Sequence, residues 1–200
     1  MTVVVATKNA HKVRELRALL RLPKLRLLCL ADLPAAPTVR ETGRTFKENA
    51  VKKARAVANA SGYLALADDS GIEVQALGWA PGVKSARFAG RHGNDAANNR
   101  KLLRLLQGLS MSKRQARYRC VLALASPKTL LAVTEGRWTG RIAYAPAGQR
   151  GFGYDPIVRL PSHRKTVAQL TAAEKNRLSH RARAAKRMRV RLVSLLRRAK

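Results

Sequence analysis

Five stretches of this chain place residue types where they could handle phosphate, a metal ion or a base. The first is TKNAHK, Thr7 to Lys12, with a hydroxyl, an amide and an ammonium where an apolar run gives way to helical spacing. A helix N-terminus offers unpaired backbone N–H groups and the positive end of the macrodipole, and both suit phosphate. It is not a Walker A loop, because the glycines and the Lys-Ser/Thr ending are missing. Asn9 serves equally well as a plain helix cap.

The second is the carboxylate set Glu41, Asp68 and Asp69. Hard oxygen ligands of this kind suit Mg²⁺, which keeps several waters and bridges to substrate phosphates. Adjacent residues of an extended chain point to opposite faces, so joint action by Asp68 and Asp69 calls for a turn at the strand end. Asp-Asp-Ser-Gly also reads as a simple capped turn. Lys52-Lys53 could add positive charge to a phosphate site or form a solvated helix face. Phe152-Gly153-Tyr154-Asp155-Pro156 could stack on and hydrogen-bond a base, or be a turn around a packed aromatic. Ser179-His180-Arg181 follows Glu174-Lys175, where Glu174 is accounted for as a helix cap.

The elements that must position these residues follow from periodicity. Val3 to Ala6 predicts a short buried strand, leading into a helix with Val13, Leu16, Leu19 and Leu20 on one face. A strand over 25–30 follows. Thr45 to Glu48 fits a capping box, and the helix it opens runs to Gly62. Leu64 to Ala67 reads as a strand, then the Asp pair as a turn, then a second short strand over 72–76. A helix over 98–106 precedes strands at 118–125 and 130–135. Thr171 to Glu174 opens one long basic helix toward the C-terminus. This alternation predicts an α/β fold with a mixed sheet and flanking helices. No repeat or linker divides the chain, so residues 1–200 read as one domain, bilobal at most.

The chain has 200 residues, with 41 Lys and Arg against 11 Asp and Glu, for a formal net charge of +30. Only three of the acids fall in the second half, which holds 24 of the basic residues. Such a surface attracts polyanions without naming one, and a general basic bias with no specific partner accounts for it equally well; specific nucleic-acid binding is not expected. The longest uncharged run, Ala56 to Ala67, has 12 residues and is too short to span a bilayer. No export signal opens the chain, and Cys29 and Cys120 have no metal or redox spacing. A cytoplasmic protein with reduced thiols is expected.

Taken in order, TKNAHKVRE, ETGRTFKENAVKKA, ADDSGIEV, PGVKSARFAG, GFGYDPI and LTAAEKNRLSHRARA resemble the inosine triphosphate pyrophosphatase family over about Val3 to Ala184. The resemblance implies an elongated mixed α/β sheet, two lobes around an active-site cleft, and a homodimer. It implies a nucleotide hydrolase that converts ITP, dITP and XTP to the monophosphate and pyrophosphate, clearing deaminated purines from the precursor pool. Thr7, Lys8, Asn9, Ala10, His11 and Lys12 would hold phosphate together with Lys53. Glu41, Asp68 and Asp69 would organise Mg²⁺, with Asp69 the proton acceptor for the attacking water and Ser70 against substrate. Phe152, Gly153, Tyr154, Asp155, Lys175, His180 and Arg181 would form the base pocket. Lys8 and Lys84 depart from the family pattern, which has a small residue at the first and an uncharged one at the second.

Overall fold

A computed structural model describes residues 1–198 of the chain. Its elements are β1 (Thr2–Val5), α1 (Ala10–Leu19), β2 (Arg26–Cys29), α2 (Phe46–Ser61), β3 (Leu64–Val74), α3 (Asp95–Leu105), β4 (Gln115–Ala125), β5 (Leu130–Ile142), β6 (Val158–Leu160), β7 (Lys165–Thr166), α4 (Ala172–Leu178) and α5 (His180–Arg198). The seven strands form one mixed sheet in the order β2-β1-β3-β4-β5-β6-β7. β1 pairs in parallel with β2 and β3, and β6 pairs antiparallel with β5 and β7. The expected α/β class and mixed sheet are therefore present. No described helix is long and apolar enough to cross a membrane.

By packing, the chain falls into two compact units. One comprises residues 1–69, 120–136 and 180 onward, and the other residues 70–119 and 137–179. In the first unit, Val3, Val5, Leu66, Leu122 and Leu124 bury one sheet face against Leu16 and Leu20 at α1 and Met188 and Leu192 of α5. Truncating any one of these fully buried leucines to Ala removes about 2–5 kcal/mol of stability. α2 supplies Phe46, Ala50, Ala54, Val57 and Ala58 as its buried stripe. Thr45 Oγ1 caps α2 by accepting from Glu48 N at 3.1 Å, and Gly62, at φ 72°, closes it in the left-handed region. Gly136 of β5 sits so close to α5 that a Cβ there would overlap the His180 carbonyl oxygen.

The second unit packs Ile72, Val74, Leu102, Leu106, Trp138 and Ile157 into its own core. Arg114 is buried there with no carboxylate partner among the described residues. Its guanidinium donates instead to the carbonyls of Ile142, Leu106 and Ala143 at 2.8, 2.6 and 2.8 Å.

Two expectations about elements are corrected. β3 is a single 11-residue strand that runs straight through Asp68 and Asp69, with no turn between two shorter strands. Both aspartates are buried and fully hydrogen-bonded, so the extended backbone has no unsatisfied polar side chain to expel. The C-terminal helix is two helices, because Ser179 adopts φ −67° and ψ 160° and interrupts the ladder after Leu178.

Candidate active site

The phosphate-type loop is built at the β1-to-α1 junction. Thr7 Oγ1 accepts from Asn9 N at 3.2 Å, and Asn9 Oδ1 caps α1 by accepting from His11 N at 2.9 Å and Lys12 N at 3.1 Å. Lys8, Asn9, Ala10 and His11 are exposed at this turn. Asn9 is thus a helix cap, and the same geometry leaves the α1 N-terminus facing solvent. Lys12 turns inward, with Nζ 2.7 Å from Asp68 Oδ1.

The unbroken run of β3 gives its two aspartates different neighbourhoods, since successive side chains leave opposite faces of a strand. Asp68 points to the α1/α5 side and is wholly buried. Its carboxylate accepts from Arg181 Nε at 2.8 Å and Cys120 Sγ at 3.2 Å as well as pairing with Lys12. Arg181, 1% exposed, also meets Glu15 at 2.5 Å. Two acids and two bases cancel in this cluster, which is how so many charges can share a dry site. Burial alone would raise the Asp68 pKa, but Arg181 and Lys12 outweigh it and hold the carboxyl well below the usual range. Burial and the Asp68 charge push the Cys120 thiol well above its ordinary value.

Asp69 points to the α2 side. Lys53 Nζ bonds Asp69 Oδ1 at 2.8 Å, Glu41 Oε1 at 2.7 Å and the Asp68 carbonyl at 2.9 Å. Asn49 Nδ2 donates to Asp69 Oδ2 at 3.3 Å and in turn fixes the Gly43 N–H through Oδ1 at 2.7 Å. Burial lifts the Asp69 carboxyl above its ordinary value, and Lys53 draws it back only in part. Burial opposes the charge on Lys53, but Asp69 and Glu41 more than compensate and raise its pKa. Two carboxylates around one ammonium leave this face net negative by one charge.

Among the described residues no cluster of three or more His, Cys, Asp or Glu could enclose a metal ion. Mg²⁺ does not need one, since it commonly uses one or two carboxylates and fills its octahedron with waters and phosphate oxygens. The Glu41 and Asp69 oxygens that share Lys53 fit that requirement. Asp68 fits less well, because its oxygens already serve Lys12, Arg181 and Cys120 on the other face. Ser70 follows Asp69 on the same strand.

Residues 152–155 and Lys175 come together in the second unit. Buried Asp155 accepts from Tyr118 Oη at 2.9 Å, Phe152 N at 2.9 Å and Lys175 Nζ at 2.6 Å, which also places that ammonium 4.5 Å above the Phe152 ring. Tyr154 Oη reaches the Ser85 carbonyl at 2.8 Å. Asp155 therefore organises the loop and orients Lys175. His180 and Arg181 belong to the first unit, at the start of α5, and Arg181 is committed to Asp68 there.

Three residues that sequence reasoning missed hold this loop. Asp95 and Asn99, one turn apart on α3, grip both polar groups of the Gly153 peptide: Gly153 N donates to Asp95 Oδ2 at 2.7 Å, and Asn99 Nδ2 donates to Gly153 O at 3.0 Å. Tyr118 is the third, through Asp155. Only the i, i+4 spacing of Asp95 and Asn99 was visible, and nothing in it points to residue 153.

A mixed α/β sheet that sets paired carboxylates, a buried lysine and a solvent-facing, Asn9-capped helix N-terminus in one unit is the framework of a phosphate-handling enzyme. The chain belongs to the Ham1 family, whose profile matches residues 3–191. A relative from Geobacillus kaustophilus named dITP/XTP pyrophosphatase is 52% identical over 182 residues, covering 91% of this chain and 89% of the relative. The solved HAM1 protein from Coxiella burnetii superposes with a TM-score of 0.88 at 40% identity, over 97% of this chain and 99% of its own. The Staphylococcus aureus Ham1 protein gives 0.86 at 37% identity, with the same coverage.

Proposed function

We propose that this chain is a nucleoside triphosphate pyrophosphatase acting on dITP, XTP and ITP, releasing the monophosphate and pyrophosphate. The observation that carries the reading is the Asp69–Lys53–Glu41 cluster. A carboxylate whose pKa is lifted by burial is a better proton acceptor than a free one, and Asp69 sits beside a fixed cation. Asp69 accepts the proton of the attacking water. Lys53 keeps Asp69 and Glu41 oriented, and the α1 N-terminus with Lys12 offers donors to phosphate oxygens. Glu41 and Asp69 would hold Mg²⁺, which neutralises phosphate charge when bound.

Selection against adenine follows from fixed donors, whereas guanine shares the 6-oxo group and its rejection rests on its 2-amino group. Inosine and xanthosine carry an oxo group at the purine 6-position, whereas adenosine carries an amino group. Lys175, aligned by Asp155 above Phe152, rewards the oxo form, since the 6-amino group of adenine is itself a donor and accepts no bond from an ammonium. A homodimer and Mg²⁺ dependence, supported by the resemblance of the motifs, and a cytoplasmic location, supported by the two widely spaced cysteines, complete the proposal.

Pyrophosphate release from dITP, XTP, ITP, dATP and dGTP, with and without Mg²⁺, tests it. Strong preference for the first three, and loss of turnover in Asp69→Asn, is the expected result. Equal rates on dATP, or an active Asp69→Asn enzyme, would overturn the assignment.

A further inference from the structure

Helix α5 has a surface that the hydrolase chemistry leaves unused. Its 19 residues contain no acid. One side is apolar, with Ala184, Ala185, Met188 and Leu192 buried in the first unit. The exposed side carries Arg183, Lys186, Arg187, Arg189, Arg191 and the Arg197-Arg198 pair, relieved only by Val190 and Ser194. At 100° per residue these cations cover about 200° of the helix circumference, and at 1.5 Å per residue they run for about 22 Å. Arg187 donates to the Glu135 carbonyl. Lys186, Arg189, Arg191, Arg197 and Arg198 meet no carboxylate among the described residues.

Like charges at i, i+4, such as Arg183, Arg187 and Arg191, repel and weaken a helix, and an ordinary solvated face intersperses acids to relieve this. We propose that this face of α5 is a docking surface for the backbone of double-stranded DNA, bound without sequence preference. The inference does not depend on the assigned hydrolase activity.

Four observations favour this partner. Arginine outnumbers lysine six to one on the face, and its forked guanidinium matches phosphate oxygens. A B-form major groove is about 12 Å wide and admits an α-helix, whereas the A-form RNA groove is too narrow, and a 200° arc of cations can reach the phosphates of both flanking strands. The face carries no aromatic side chain, so it lacks the platforms that bind single strands by stacking. Insertion into a membrane surface requires a free apolar face, and the apolar face of α5 is already used in the core.

The test is fluorescence anisotropy of a mixed-sequence 20-base-pair DNA duplex titrated with the full-length protein across a series of KCl concentrations. Duplex RNA and phosphatidylserine vesicles form parallel arms. Arg189, Arg191, Arg197 and Arg198 are changed together to Gln, and a control protein carries Gln at Arg55, Arg100, Arg104 and Lys113, which are exposed elsewhere. With a slope contribution near 0.9 per neutralised phosphate, the α5 variant is expected to lose about 3–4 from the magnitude of the log K against log salt slope, and the control far less. Circular dichroism melting and pyrophosphatase assays of both variants confirm intact folds. As a second measurement, DNA should slow acetylation of Lys186 more than that of Lys113. Equal weakening in the two variants, no DNA binding at low salt, or tighter binding to RNA or vesicles than to DNA would each overturn the proposal.

Discussion

Asp68 and Asp69 are neighbours in sequence, yet their neutralisation should have opposite consequences. Asp68→Asn removes the anion that holds the fully buried Arg181 and the inward-turned Lys12, leaving Glu15 against two positive charges. Removing one partner of a buried ion cluster costs about 3–5 kcal/mol, and since Asn keeps the shape and one acceptor the lower figure applies. For a chain of this length each kcal/mol moves the melting temperature by about 2–4 °C, so Asp68→Asn should melt roughly 6–12 °C below the parent. Asp69→Asn should melt at or above the parent temperature, because burial already disfavours the charged form of Asp69. Differential scanning calorimetry at neutral pH decides the matter. An Asp68→Asn protein that melts with the parent, or an Asp69→Asn protein that falls equally far, would refute the division of roles between the two strand faces.

The pH dependence has a definite sign. The Asp68 pKa is lowered by folding, so its contribution is complete above the unfolded carboxylate value of about 3.9. It disappears as pH falls through the lower folded value, so the gap between Asp68→Asn and parent should close only in that acid range.

Other expectations concern the same framework. Lys53→Met removes the cation that draws the Asp69 pKa down, so the acid limb of the pH–rate profile should move to higher pH as turnover falls. Asn99→Ala frees the Gly153 carbonyl, and at about 1 kcal/mol for the lost bond it should raise KM for dITP roughly fivefold with a smaller change in kcat. Iodoacetamide should label Cys29 in the native protein and Cys120 only after unfolding, because Cys120 is fully buried and its thiol is held well above the ordinary pKa. Mass spectrometry of tryptic peptides reads this out directly.

Much of the architecture was legible from short-range chemistry. Caps at Asn9, Thr45 and Thr171 and the stop at Gly62 depend on residues within four positions of each other, and all four form as expected. The continuity of β3 was not legible, because Asp-Asp-Ser-Gly has turn composition. Only the distant partners Lys12, Lys53 and Arg181 make an extended, buried conformation favourable there. The partners of the buried charges were not legible for the same reason. Arg181 and Glu15 lie 166 positions apart, and Asp155 is matched to Tyr118 across 37. Local spacing identifies residue types suited to chemistry, whereas the face from which each one acts is set by the sheet.

The pleat of β3 has a consequence for how this chain can change over time. Loops elsewhere can gain or lose residues at the expense of a local rearrangement. A single inserted or deleted residue within Leu64–Val74 would instead exchange the sides of every following side chain. Asp69 would then face the Lys12 and Arg181 side, and the proton acceptor would become the structural counter-ion. Substitution is therefore open to this strand, but a change in its length is not.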